Sequence, residues 1–210
     1  LNYKKLLIKK NKIPITCLTA YSKPIANILD GKVDLILVGD SLGTTLFGMQ
    51  NTRGVTIEMM KNHGKTVVQN TKYSMTIIDM PYNTYRNKSE ALKNARDILA
   101  FTKADFIKIE TDKKNLNIVE HLTKNKIKVV SHIGVTPQKF SNFSKIKSVG
   151  KNIKDSNNLL NLAKKLEEAG SKIIVLECIS LDTSKKITNS LSIPTIGIGS
   201  SKYCDGQVLV

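Results

Sequence analysis

The feature that most constrains this 210-residue chain is a repeated order of a short apolar run, a polar loop and, in most cases, a helical pattern. The runs are continuous and rich in β-branched residues, which is typical of parallel strands buried on both faces. They cover residues 13–21, 33–40, 75–81, 104–110, 128–134, 171–177, 193–200 and 206–210. About eight strands that alternate with helices predict a closed parallel barrel.

Helical periodicity is strongest in residues 88–103 and 155–169, where apolar side chains recur every three or four positions and Gly170 follows as a C-cap. Weaker helical patterns cover residues 56–71, 117–126 and 182–191. No helical pattern follows the last run. We therefore expect residues 1–210 to form a single (β/α)8-barrel domain of the α/β class that is incomplete at its C-terminus. Without a final helix, the outer face of the last strand should lie open.

The net charge of +16 suggests nucleic-acid binding, but the distribution of the cations argues against it. Nearly all of them are lysines scattered along the chain, and arginine occurs only at positions 53, 86 and 96. Arginine forks are the usual base and phosphate readers, and the aromatic residues form no stacking platform. We interpret the lysines as solvated surface residues; a basic binding protein remains the alternative.

The three cysteines, Cys17, Cys178 and Cys204, are odd in number and form no C-x-x-C pair. This pattern favours reduced thiols in a cytoplasmic protein over a disulfide framework. No apolar run approaches the roughly 18 residues of a membrane span, so we expect no membrane association.

Five neighbouring runs end in, or carry near their end, an ionisable residue. These residues are Asp40, Asp79, Glu110, His132 and Glu177. In a parallel barrel the active site lies at the C-terminal ends of the strands. Single acids at strand ends are often solubilising, but five in succession at one edge predict a catalytic domain.

Three of these acids are candidate metal ligands. Adjacent strands lie about 4.8 Å apart, so Asp40, Asp79 and Glu110 are able to converge on one cation. Carboxylate ligands completed by water and substrate are the set that Mg²⁺ prefers. The cysteines and histidines show no zinc spacing.

The remaining candidates have a functional and a structural interpretation. Lys108 lies two residues before Glu110, so both side chains point the same way. Lys108 would then hold a substrate carboxylate, or else form a structural ion pair with Glu110. His132 is either a substrate contact or a hydrogen-bonded core histidine. Glu177 follows an apolar stretch that would favour a general base, or it is a core-edge acid paired with lysine.

At these strand ends the chain resembles the ketopantoate hydroxymethyltransferase family. The resemblance covers residue 13 to the end, in the order and at about the spacing of the family. Its most specific pieces in combination are V-G-D-S-L-G, H-x-G-x-T-P-Q and D-G-Q. The matching segments are L-T-A-Y (18–21), L-V-G-D-S-L-G (37–43), D-M-P-Y (79–82), K-I-E (108–110), H-I-G-V-T-P-Q (132–138), V-L-E-C (175–178), I-P-T-I-G-I-G (193–199) and D-G-Q (205–207).

The resemblance implies a barrel of the phosphoenolpyruvate/pyruvate type and a defined reaction. Such an enzyme transfers a hydroxymethyl group from 5,10-methylenetetrahydrofolate to 3-methyl-2-oxobutanoate, giving 2-dehydropantoate for pantothenate and coenzyme A synthesis. It also implies Mg²⁺ and a homo-oligomer, which is a decamer in the family. The implied roles are Asp40 and Asp79 as Mg²⁺ ligands, Glu110 as a ligand directly or through water, Ser41, Asp79, Lys108 and His132 as substrate contacts, and Glu177 as proton acceptor.

Some positions depart from the family pattern. Ser22 replaces an aspartate, Thr111 and Asp112 replace glycines, and the loop at 144–150 lacks paired glycines, so its path should differ. The chain also stops before the last helix of the family, which predicts a C-terminal truncation. Two other functions therefore stay open: a related barrel enzyme acting on phosphoenolpyruvate- or oxaloacetate-type 2-oxo acids, and a non-catalytic truncated remnant.

Overall fold

A computed structural model describes residues 2–142, 144 and 146–210. Eight parallel strands pair in chain order, and the last pairs with the first, so the predicted barrel is confirmed. Each predicted run contains one strand. The strands are β1 (Ile15–Thr19), β2 (Leu35–Val38), β3 (Met75–Asp79), β4 (Phe106–Glu110), β5 (Val129–Gly134), β6 (Ile173–Glu177), β7 (Thr195–Ile198) and β8 (Gly206–Leu209).

Helices surround the barrel, and all five predicted helical patterns are confirmed. Three short helices, α1 to α3, were not predicted because they span only seven, seven and four residues. None of the described helices crosses over between β7 and β8, and none is both long and apolar enough to span a membrane. The helices are α1 (Tyr3–Lys9), α2 (Lys23–Leu29), α3 (Leu42–Thr45), α4 (Ile57–Gln69), α5 (Lys88–Thr102), α6 (Leu116–Lys124), α7 (Ile153–Glu168) and α8 (Leu181–Ser190).

Polar residues set the ends of the long helices. Asn87 caps α5 by accepting a hydrogen bond from the backbone N–H of Glu90, and Asn152 caps α7 through Asp155 in the same way. Gly170 lies just beyond α7 with a φ of 95°, the left-handed conformation expected of it.

Apolar side chains form two layers, one between strands and helices and one inside the barrel. The first helix, α1, closes the N-terminal end of the barrel, because Leu6 is fully buried in the inner layer. The hydroxyl of Tyr3 donates to the carbonyl oxygen of Lys172 (2.8 Å), and its ring meets Phe106 edge-on.

Along the strands, the inward-facing side chains change from apolar to ionisable toward the C-terminal end of the barrel. On β4, Phe106 lies in the inner apolar layer, whereas Lys108 and Glu110 line a cavity above it. On β5, Val130 and His132 show the same change. The outward residues are buried against helices. Both faces of each strand are therefore mostly apolar, which explains the continuous apolar runs in the sequence.

The loop expected to take an altered path includes Lys145, which lies outside the described residues. Its end is tied to the barrel, because the N–H of Val149 donates to the carbonyl of Cys178 and its own carbonyl accepts from Ser180 (both 2.9 Å). On β8, the outward side chain of Leu209 is 67% exposed.

Candidate active site

The C-terminal end of the barrel holds a cavity of about 210 Å³. All seven site residues predicted from the sequence line it, each from the end of a strand or the turn that follows. The residues are Asp40, Ser41, Asp79, Lys108, Glu110, His132 and Glu177.

A buried ion pair joins the ends of β3 and β4. The ammonium of Lys108 lies 2.8 Å from Oδ1 of Asp79, and both side chains are almost fully buried. The predicted structural alternative, an ion pair with Glu110, is therefore wrong, because the strand register places Lys108 beside Asp79. Burial alone would lower the pKa of Lys108, but the attraction of Asp79 and Asp40 outweighs it and raises this pKa. Lys108 is thus a charged group facing the cavity.

The glycine of the G-D-S turn after β2 leaves room for the Ser41 hydroxyl in its observed position. A Cβ on Gly39 would lie 2.7 Å from Oγ of Ser41, too close without displacing it. The N–H of Asp40 donates to Oδ2 of Asp79 (3.1 Å), and the Ser41 hydroxyl hydrogen-bonds to that of Tyr21 (2.7 Å). The turn thereby orients Ser41 into the cavity beside the two acids.

Gln138 is a buried site residue to which the sequence analysis gave no role. It lies in a 3-10 turn, Pro137–Lys139, after β5. Its Nε2 donates to Oδ2 of Asp40 (2.8 Å), and its backbone N–H donates to Oε1 of Glu110 (3.0 Å). The T-P-Q motif was its only signal, because a turn residue has no strand or helix periodicity.

Burial makes two of the acids hard to ionise. It raises the pKa of Glu110 to about 8, and burial together with the neighbouring Asp79 raises the pKa of Asp40 to about 6. Among the described residues, Oε2 of Glu110 is buried without a hydrogen-bond partner. Such carboxylates favour a ligand that brings positive charge.

Asp40, Asp79 and Glu110 line the same cavity, but they do not form a preformed cluster of three metal ligands. No three His, Cys, Asp or Glu side chains within residues 2–142, 144 and 146–210 are arranged to hold a metal ion. All three acids accept hydrogen bonds from protein groups instead: Lys108 donates to Asp79, and Gln138 donates to both Asp40 and Glu110. Adjacent Asp40 and Asp79 still fit Mg²⁺, which proteins commonly bind through one or two carboxylates plus water and substrate.

His132 and Glu177 face each other across β5 and β6. Nε2 of His132 lies 3.1 Å from Oε2 of Glu177, but the two are not aligned as a hydrogen bond, and neither ring nitrogen has a partner in the part of the chain described. Nδ1 of this buried ring thus has no partner among the described residues, whereas a fully hydrogen-bonded core histidine would have one. Burial, with a smaller contribution from Lys108, lowers its pKa, which favours neutral imidazole.

The backbone after Glu177 adopts an unusual conformation. Cys178 has a φ of 50°, a left-handed conformation that costs a non-glycine residue free energy. Hydrogen bonds hold it in place, because its N–H donates to Ile198 (3.0 Å) and its carbonyl accepts from Val149 (2.9 Å). The candidate base is thus fixed at the cavity edge by β7 on one side and by the loop residue Val149 on the other.

Solved structures with this fold are distant in sequence. A phosphoenolpyruvate phosphomutase from Streptomyces platensis subsp. rosaceus matches with a TM-score of 0.73 at 10% identity, covering 99% of this chain and 79% of that chain. A 2,3-dimethylmalate lyase, described as a member of the PEP mutase/isocitrate lyase superfamily, matches with a TM-score of 0.64 at 13% identity, covering 92% and 70%. At these identities the likeness concerns the fold alone, and it agrees with the expected barrel type.

Sequence relatives are much closer. The 3-methyl-2-oxobutanoate hydroxymethyltransferase of Pelagibacter ubique is 51% identical over 202 residues, which are 96% of this chain and 77% of the relative. The enzyme of the same name from Helicobacter pylori is 43% identical, covering 98% and 76%. A family model described as ketopantoate hydroxymethyltransferase matches residues 2–210. The chain therefore belongs to the ketopantoate hydroxymethyltransferase family and is a transferase that moves a one-carbon unit onto a small molecule.

Proposed function

We propose that the chain transfers a hydroxymethyl group from 5,10-methylenetetrahydrofolate, with water, to 3-methyl-2-oxobutanoate, giving 2-dehydropantoate and tetrahydrofolate. The observation that carries the proposal is the single cavity that collects all seven predicted site residues in a chain of this family. Homo-oligomeric assembly in the cytoplasm belongs to the same proposal.

Asp40 and Asp79 would hold Mg²⁺, with Glu110 contributing directly or through a water molecule. Bound Mg²⁺ would supply Lewis-acid stabilisation of the negative charge on the enolate of the 2-oxo acid. The raised pKa of Asp40 and the unpartnered oxygen of Glu110 support this assignment, because the attraction of Lys108 does not offset the burial of either acid.

Lys108 and Ser41 would bind the 2-oxo acid. The Lys108 ammonium remains charged in a buried position and would share its donors between Asp79 and the substrate carboxylate. The Ser41 hydroxyl, positioned by Tyr21, would add a hydrogen bond to the same substrate. These contacts would fix the acid with its C3 proton toward β6.

Glu177 would then remove the C3 proton. Its side chain is 17% exposed at the cavity edge, and the left-handed Cys178 fixes its backbone. A proton next to a ketone is barely acidic, so a carboxylate base suffices only while the developing enolate is stabilised. Neutral His132, 3.1 Å away, would contact the substrate without neutralising Glu177. The C3 carbon would finally attack the donated methylene.

Product formation with and without EDTA tests the proposal. We expect folded, metal-free protein to be inactive and Mg²⁺ to restore 2-dehydropantoate formation. Undiminished activity in metal-free protein would rule out the metal role. Turnover of phosphoenolpyruvate or oxaloacetate, but not of 3-methyl-2-oxobutanoate, would favour the alternative barrel chemistry instead.

A further inference from the structure

Every polar atom of the Gln138 side chain is engaged, although the residue lies in a turn. Its Nε2 donates to both Oδ2 of Asp40 (2.8 Å) and the carbonyl oxygen of Met80 (3.0 Å). Its Oε1 accepts a hydrogen bond from the hydroxyl of Tyr85. With 3% of its surface exposed, Gln138 has no solvent to replace a lost partner.

Tyr85 and the Met80 carbonyl both favour the orientation in which Nε2 of this amide faces Asp40. An amide turned by 180° would place Oε1 against the Asp40 carboxylate, where two acceptors repel each other. The Tyr85 hydroxyl supplies a donor on the opposite side and so favours the observed orientation. The two residues come from different loops, after β3 and after β5, so neither alone fixes the arrangement.

The same residue also restrains Glu110 through the backbone. The Gln138 N–H donates to Oε1 of Glu110 (3.0 Å) and leaves Oε2 without a partner. Asp79 is independent of this arrangement, since Lys108 and the Asp40 N–H hold it. Two of the three proposed ligands therefore depend on one turn, and the third does not.

We infer that Gln138 and Tyr85 are a pair of positioning residues that orient the carboxylates of Asp40 and Glu110 toward a divalent cation. The inference rests on the proposed function, because it assumes that these acids bind the cation. Groups that orient metal ligands commonly account for about 10- to 100-fold in metal affinity. Removing the pair should therefore weaken cation binding without removing a ligand.

Mn²⁺ affinity, measured by the loss of the free-ion EPR signal on the full chain, tests the inference without turnover. Gln138→Leu should weaken binding by about 10- to 100-fold, and Tyr85→Phe, which removes one hydroxyl, by about 10-fold. Tyr82→Phe is the matched control, because its hydroxyl contacts Arg53 and not Gln138. This variant should bind Mn²⁺ like the wild type.

Tyr85→Phe keeps the inference testable even where Gln138→Leu does not fold, because the aromatic ring is retained. Thermal melts identify folded variants. A purely structural role would lower the melting temperature and leave Mn²⁺ affinity in the folded protein unchanged. Folded Tyr85→Phe with wild-type affinity, while the wild type binds Mn²⁺, overturns the inference alone. A wild type that binds no Mn²⁺ overturns both the inference and the proposed metal site.

Discussion

Acidic residues lie at both ends of this barrel, but the hydrogen-bond and ion-pair partners of these residues differ between the two ends. At the N-terminal end, an aspartate immediately precedes each of β2, β4 and β8. Each accepts hydrogen bonds from both the backbone N–H and the hydroxyl of a threonine on the neighbouring strand. The pairs are Asp34 with Thr16, Asp105 with Thr76, and Asp205 with Thr195.

Lysines from α1 and the residue after it complete two of these N-terminal sites. Lys9 lies 2.7 Å from Asp34, and Lys10 lies 2.8 Å from Asp205 with both side chains buried. At the C-terminal end only Asp79, among the three proposed metal ligands, has such an ion pair, with Lys108; Glu110 keeps an unpartnered oxygen and Asp40 ionises with difficulty. Acids whose oxygens are fully paired with protein donors and lysines support stability. Acids without enough neighbouring positive charge retain the capacity to bind a cation.

The largest expected effect on stability is at the N-terminal end. Asp205→Ala removes the partner of buried Lys10 and the acceptor of the Thr195 N–H. Loss of one member of a buried ion pair costs about 3–5 kcal/mol, which lowers the melting temperature of a chain this size by roughly 6–20 °C. The exposed ion pair of Asp97 with Lys61 provides a control. Asp97→Ala should change stability by less than about 1 kcal/mol. Equal melting of Asp205→Ala and wild type would refute the stabilising role.

At the C-terminal end, by contrast, removing an acid should raise the free energy of unfolding. Glu110→Gln keeps an oxygen for the Gln138 N–H but removes a carboxylate that burial disfavours. Metal-free Glu110→Gln should be more stable than the wild type at pH 8 by at least about 1 kcal/mol, and it should bind Mg²⁺ more weakly. Urea unfolding with EDTA present measures the first effect. If Glu110→Gln is instead less stable than the wild type, the acids at both ends stabilise the fold, and the comparison fails.

The pH dependence of stability follows from the same acid. Because the pKa of Glu110 is raised in the folded state to about 8 from 4.5, the folded chain binds more protons than the unfolded chain between these values. Stability of the metal-free wild type should therefore fall as pH rises from 4.5 to 8. Glu110→Gln should flatten this slope, and Mg²⁺ should oppose the loss in the wild type. Parallel slopes for the two proteins would contradict the assignment.

The smallest expected effect concerns the surface lysines that lie outside both ends. Despite the net charge of +16, DNA binding should be weak and should fall steeply with salt, because scattered lysines contact phosphates without reading bases. Fluorescence anisotropy at low and physiological salt measures this. A submicromolar, sequence-selective complex at physiological salt would show that the charge has a function of its own.

The sequence predicted the barrel and its catalytic edge because both follow from local patterns. Strands buried on both faces give uninterrupted apolar runs, and the ends of parallel strands meet at one edge. Residues two apart on β4 share a face, which correctly placed Lys108 and Glu110 in one cavity.

The partners within that cavity depend on strand register, which the sequence alone does not determine. Register places Asp79 beside Lys108, about 4.8 Å across the sheet, whereas Glu110 lies about 6.6 Å further along the same strand. The ion pair therefore forms with Asp79, and Glu110 lies one level above it. Gln138 reaches Asp40 across 98 residues of chain, a distance over which no local pattern carries information.

Proton removal at C3 of 3-methyl-2-oxobutanoate is the step on which the account of the C-terminal end depends. Deuterium exchange at C3, followed by NMR in D₂O with Mg²⁺ and without the folate donor, measures it directly. We expect the wild type to catalyse exchange and Glu177→Gln to bind substrate nearly as well but exchange at least about 100-fold more slowly. Exchange at the wild-type rate in folded Glu177→Gln would contradict the account, because another group would then be the base.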